Sequence, residues 1–140
     1  MIIPYIASDL REVSPTVLAY IGDSVYELYA RCHVANKCAG NNNRMHKKNV
    51  GYVSATAQAK AMRILEEELD EVEESYFRRG RNSNPHSSSK NANHGDYMYA
   101  TGFETLIGFL FLDNRSSRLE YIISRTFEIL DAQEGLPEGL

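Results

Sequence analysis

The chain has 140 residues, 43% of them hydrophobic, a formal net charge of -4 and two cysteines. That length suits one domain rather than two independent cores, and the longest apolar run, 103–112, is broken by Glu104 and too short to span a bilayer. Residues 1–10 lack the basic head and apolar stretch of a signal peptide, and Cys32 and Cys38 show neither a disulfide framework nor metal-ligand spacing, so no membrane span is expected and a reducing cytoplasm is.

Ser14-Pro15 predicts a helix start, Ser capping the orphan amides and Pro occupying the first helical position. Val17, Leu18, Ile21, Val25, Leu28 and Cys32 recur at three- and four-residue steps and predict an apolar stripe running to about Val34, with Cys32 a small buried residue on it. Residues 39–43 read as a turn. A second helix is expected from about Arg44, with Val53, Ala57, Ala61, Ile64 and Leu65 on its buried side, and a short helix from Glu73 to Arg79. Residues 80–95 collect Asn, Ser, His, Gly and a Pro without apolar periodicity and predict a long, basic, flexible loop. Residues 97–112 are apolar nearly all round, the pattern of a central buried helix, and a last helix is expected from Ser116 or Ser117 to Asp131 before a fraying tail. The fold class is all-α, a single domain over 1–140 with its helical core at about 14–132.

Charge is blocked along the chain. Residues 28–65 carry seven Lys or Arg and no acid, residues 66–74 hold seven acids in nine positions, and residues 75–95 carry Arg78, Arg79, Arg81 and Lys90 without an acid. Eleven cations in two acid-free segments are enough for one positive face, for which a phosphate backbone is the natural partner. The alternative is ordinary solvated faces offset by the acidic block.

Two carboxylates stand apart. Asp23, after Gly22, is the only charged residue in 14–26, and Glu104 is the only one in 97–112. A lone buried carboxylate is costly without a partner, so each calls either for hydrogen bonds from core Tyr, Ser or Arg side chains or for a hard divalent cation. Gly22, Gly102 and Gly108 permit close helix approach and favour the two acids meeting. The four histidines, His33, His46, His86 and His94, are scattered, and the adjacent His-Asp pair of helical metal phosphohydrolases is lacking.

The string 18–27, Leu-Ala-Tyr-Ile-Gly-Asp-Ser-Val-Tyr-Glu, resembles the signature helix of ribonuclease III catalytic domains, and 103–108, Phe-Glu-Thr-Leu-Ile-Gly, resembles that family's second metal-binding helix. His46 followed by Tyr52-Val53-Ser54-Ala55, the run Arg78-Arg79-Gly80-Arg81-Asn82, and Ala100-Thr101-Gly102-Phe103-Glu104 are similar to its short branch, Mini-ribonuclease III. The resemblance covers about 14–112 and implies a helical ribonuclease III-like fold with Asp23 and Glu104 as the catalytic, metal-binding carboxylates for Mg2+, with Mn2+ able to substitute. Ala19 and Thr101 stand where full-length relatives carry two further acids, which leaves the number of ions open. Tyr26 and Glu27, beside the Asp23 face, are candidates to orient waters.

The resemblance further implies hydrolysis of double-stranded RNA by a homodimer, without a separate RNA-binding domain. Expected RNA contacts are Arg44, His46, Lys47, Arg78, Arg79, Arg81, Asn82 and Lys90, the last five with loop 80–95 acting as a clamp. The substrate implied is the large-subunit (23S) ribosomal RNA precursor, with a large-subunit ribosomal protein as an accessory partner. The competing reading is a catalytically inactive RNA-binding or ribosome-associated module of the same fold.

Overall fold

The computed structural model describes residues 3–83 and 93–133, and among them no strand occurs. Six helices follow one another: α1 (Pro15–Cys38), α2 (Asn42–Val53), α3 (Ala55–Leu65), α4 (Glu71–Arg81), α5 (His94–Leu112) and α6 (Ser116–Gln133). The fold is all-α, as the periodicity implies.

Local chemistry sets the ends. Ser14 caps α1, its hydroxyl accepting from the Val17 amide at 3.3 Å, with Pro15 at the first helical position. The single helix expected from Arg44 to Leu65 is instead two. Ser54 adopts an extended ψ of 154°, ending α2, and its Oγ accepts from the Ala57 amide at 3.2 Å to start α3. The Ser54 cap outweighs the continuous apolar pattern, and Ile64 is left 43% exposed. Asp70 and Glu73 form a reciprocal capping box at the start of α4. That helix runs on through Gly80 and Arg81, so the long loop begins later than its composition suggests, and residues 84–92 lie outside the described residues.

α5 is the hub. It packs on α1, α3, α4 and α6, and Ala100, Gly102, Phe103 and 105–110 are buried. Its glycines let neighbouring backbones in. A Cβ on Gly22 would sit 1.8 Å from the Glu104 carbonyl oxygen, and one on Gly108 would sit 2.0 Å from the Leu18 carbonyl oxygen, so α1 and α5 touch main chain to main chain. Between α4 and α5, Gly80 and Gly102 make room instead for side chains, those of Thr105 and Phe77.

This contact turns α1 relative to the expected stripe. Its buried face is Leu18, Gly22, Tyr26, Ala30, Val34 and Cys38, while Val17 and Leu28 are 43% and 64% exposed and Cys32 is also exposed. Small residues are buried because the helices are close, a preference that counting large apolar side chains misses.

The acidic block is spent mostly on α6 and its own surroundings. Glu73 is fully buried and takes two hydrogen bonds from Arg118, at 2.7 and 2.8 Å, while Glu68 pairs with Arg125 at 2.9 Å. At the far end of α6, Asp131 accepts from His33, at 3.0 Å, and Lys37, at 2.9 Å, on α1 and from the Tyr52 hydroxyl on α2.

Gly108→Ala is expected to lower stability by at least the ~1–3 kcal/mol of an overpacked core, because the obstacle is backbone and cannot rotate away. Gly51→Ala meets nothing within 4 Å on α2 and is expected to raise stability by about 0.5–1 kcal/mol. Urea midpoints of the two variants check this, and a Gly108→Ala midpoint at or above that of Gly51→Ala contradicts it.

Candidate active site

The α1–α5 contact brings Asp23 and Glu104 together. Gly22 lies on the main chain of Glu104, and Asp23, the next residue, is near enough for its carboxylate to act on the Glu104 carboxyl. Glu104 is half-buried, but Asp23 is exposed. The expectation of two buried acids therefore holds only in part: the turn of α1 that buries Gly22 puts its successor at the surface.

Burial, followed by the Asp23 carboxylate beside it, pushes the Glu104 carboxyl up to about 8, against a smaller opposing effect of a hydrogen bond from Gln58. Neither acid pairs with a Lys, Arg or His among the described residues. Two carboxyl groups, one at the surface and one half-buried, form a donor set that fits a hard divalent cation completed by waters and a substrate phosphate. They also fix its limits. No group of three or more His, Cys, Asp or Glu that could hold a metal occurs among the described residues. Ala19 offers no ligand, and the Thr101 hydroxyl is already donated to the Tyr97 carbonyl at 3.0 Å.

Three polar residues lie around the pair, and one of them, Tyr26, departs from the sequence reading. Tyr26 is fully buried and donates to the Tyr52 carbonyl at 2.8 Å, so it is a core residue and orients no water at the site. Glu27, one turn beyond Asp23, accepts from Arg31 Nε at 3.1 Å and from the buried Asn49 amide. Gln58, which sequence reasoning missed, donates to Glu104 Oε2 at 3.4 Å. The available signal was a long amide alone among the alanines of 55–61.

The candidate RNA contacts fall into two groups. Arg44, His46 and Lys47 are exposed on α2, and His46 lines a cleft of about 420 Å³ with Arg31 and Asn49. Arg78, Arg79 and Arg81 lie in the last turn of α4, with Asn82 as its C-cap, and Lys90 is outside the described residues. α2 packs on α1, α3 and α6, whereas α4 packs on α5 and α1. Several of the cations already have acidic partners: Arg31 with Glu27, Lys37 with Asp131, Arg63 with Asp96, Arg78 with Glu74 and Arg81 with Glu66. Arg79 lies over the Tyr76 ring at 4.9 Å. Arg44, Lys47, Lys48 and Lys60, on α2 and α3, have no ion pair among the described residues, so uncompensated positive charge is concentrated there.

The ribonuclease III domain model matches residues 16–115, a span that includes both carboxylates. The chain belongs to the ribonuclease III family. Within this family of endoribonucleases it is similar to the Mini-ribonuclease 3 of Clostridium tetani, 42% identical over 88% of this chain and 82% of that one. It is also similar to that of Brevibacillus brevis, 39% identical over 89% and 93% respectively. A crystal structure of a protein from Fusobacterium nucleatum, 24% identical, shares the fold with a TM-score of 0.75 over 87% of this chain and 98% of its own. As a ribonuclease III-type protein the chain has no helix among its described residues long and apolar enough to cross a membrane.

The raised Glu104 carboxyl has a consequence for this ribonuclease III domain without metal. Folded, Glu104 keeps its proton up to about pH 8, whereas its ordinary value is 4.5, so the folded state binds more protons between those limits and stability falls as pH rises through them. Asp23→Asn removes the like charge and is expected to be more stable than the parent at pH 8, the gap closing towards pH 4.5. Urea midpoints in EDTA across that range measure it, and a gap independent of pH contradicts the coupling.

Proposed function

We propose that the chain is a divalent-metal-dependent endoribonuclease that hydrolyses phosphodiester bonds in double-stranded RNA. The observation that carries this reading is the meeting of Asp23 and Glu104 at the surface, enforced by the glycine contact of α1 with α5. The two carboxylates hold the ion, Mg2+ or in its place Mn2+. When bound, the ion supplies charge neutralisation at the phosphate and a more acidic water. Asp23, exposed, faces the substrate side. Glu104, half-buried, is the more constrained of the two ligands and anchors the site to the hub helix.

RNA binding is assigned to Arg44, His46 and Lys47 on α2, to Arg78, Arg79, Arg81 and Asn82 at the end of α4, and to Lys90. The cations of α2 that have no ion pair among the described residues support the first group most directly. A-form RNA presents a wide, shallow minor groove, which suits recognition by shape and backbone rather than by base. The active form is a homodimer: Val17, Tyr20 and Leu28 are 43%, 77% and 64% exposed at helical spacing along α1 beside Asp23, an apolar surface that a second copy would cover. The substrate we propose is the large-subunit (23S) ribosomal RNA precursor, processed in the cytoplasm with a large-subunit ribosomal protein as accessory partner, as the resemblance of 18–27 and 103–108 to the family's motifs implies.

The test is incubation with long double-stranded RNA with and without Mg2+, using the parent and the nearly isosteric Asp23→Asn and Glu104→Gln. Cleavage is expected only with the divalent ion, and each variant is expected to lose more than about 10²-fold in rate, the scale at which removing one electrostatic stabiliser is felt. Both should keep their helical circular dichroism and their RNA affinity. Binding without cleavage by the parent would instead favour the inactive RNA-binding module.

A further inference from the structure

Gln58 is a buried amide with partners on one side only. It sits on α3 among Ala57, Ala59, Ala61 and Met62, all buried, and is itself 2% exposed. Its Nε2 donates to the Val53 carbonyl at 3.0 Å and to Glu104 Oε2 at 3.4 Å. Its Oε1, equally buried, has no hydrogen-bond partner among the described residues. Turning the amide over would set Oε1 against the Val53 carbonyl, which can only accept, so the orientation is dictated by that neighbour.

An apolar side chain of this size would fill the same space without burying an unsatisfied oxygen. What the amide adds is two N–H groups in a fixed plane. One is held by the last carbonyl of α2, at the bend where Ser54 separates α2 from α3, and the other is directed at one oxygen of Glu104. The bend, the amide and the carboxylate are thus linked by hydrogen bonds in one short chain.

We propose that Gln58 is a positioning residue for the divalent-ion site, holding the Glu104 carboxylate in the orientation in which it and Asp23 bind one ion together. This rests on the reading of Asp23 and Glu104 as that ion's ligands. Partners that orient a ligand in this way typically contribute about 10–100-fold to metal affinity or activity. A purely structural role, closing the α2–α3 bend through Val53, would alter stability and leave ion affinity unchanged.

Gln58→Met and Gln58→Leu remove the donors at similar volume. Direct Mn2+ binding without RNA, by isothermal titration calorimetry, is expected to weaken about 10–100-fold in whichever variant retains the parent's circular dichroism, and the Mg2+ concentration for half-maximal cleavage to rise in parallel. RNA affinity in EDTA should stay as in the parent. In the parent itself, the Gln58 side-chain amide resonances should shift during a Mg2+ titration, a reading that needs no variant. Parent-like Mn2+ affinity in the folded variants, or Gln58 resonances indifferent to Mg2+ that binds, overturns the inference alone. A parent that binds no Mn2+ and cuts no RNA overturns the ion-site reading beneath it.

Discussion

Main-chain contact between α1 and α5 is the constraint on which the rest depends. Two helices normally keep their axes apart by the thickness of their side chains. Here Gly22 and Gly108 remove that spacing, and each faces a carbonyl oxygen of the other helix at a distance no Cβ could tolerate. The position of α5 at the centre follows, because the same helix also admits α4 through Gly80 and Gly102. So does the rotation of α1, which must turn its small residues inward and leave Val17, Tyr20 and Leu28 exposed.

The site is a by-product of that geometry and is held against an electrostatic cost. Asp23 and Glu104 repel when both are ionised, and Glu104 is also partly desolvated. Such an arrangement persists only if the surrounding packing over-determines it, and functional sites are where such costs are commonly retained. A divalent cation bound between the acids, as proposed, would reverse the sign of the interaction, so the geometry that destabilises the empty fold would favour the loaded one.

Much of this was legible in the sequence, for identifiable reasons. Ser14-Pro15 states a helix start in local chemistry, and the nearly unbroken apolar content of 97–112 can only be satisfied at the centre. Gly22 beside Asp23, and Glu104 four residues before Gly108, carry the site because the glycines that close the helices and the acids that meet are sequence neighbours. The parts that were not legible depend on tertiary choices. Apolar periodicity weighs Val17 and Leu28 above Gly22 and Ala30 and so points to a different face of α1 from the one that is buried. A single serine, Ser54, divides what apolar spacing presents as one helix. Charge blocks show sign but not partner: only the folded chain sets Glu73 against Arg118 and Arg81 near Glu66, leaving Arg44 and Lys47 without an acid among the described residues. Gln58 could be noticed as an odd residue among alanines, yet its link to Glu104, 46 positions away, exists only in the fold.

Diffraction from crystals grown with Mn2+, collected to reveal the ion's anomalous signal, tests the central claim most directly. The account predicts a peak within coordinating distance of both the Asp23 and Glu104 carboxylates, its remaining ligands being waters or phosphate oxygens. A peak at another group of residues, or none at this pair under conditions that support cleavage, would contradict it.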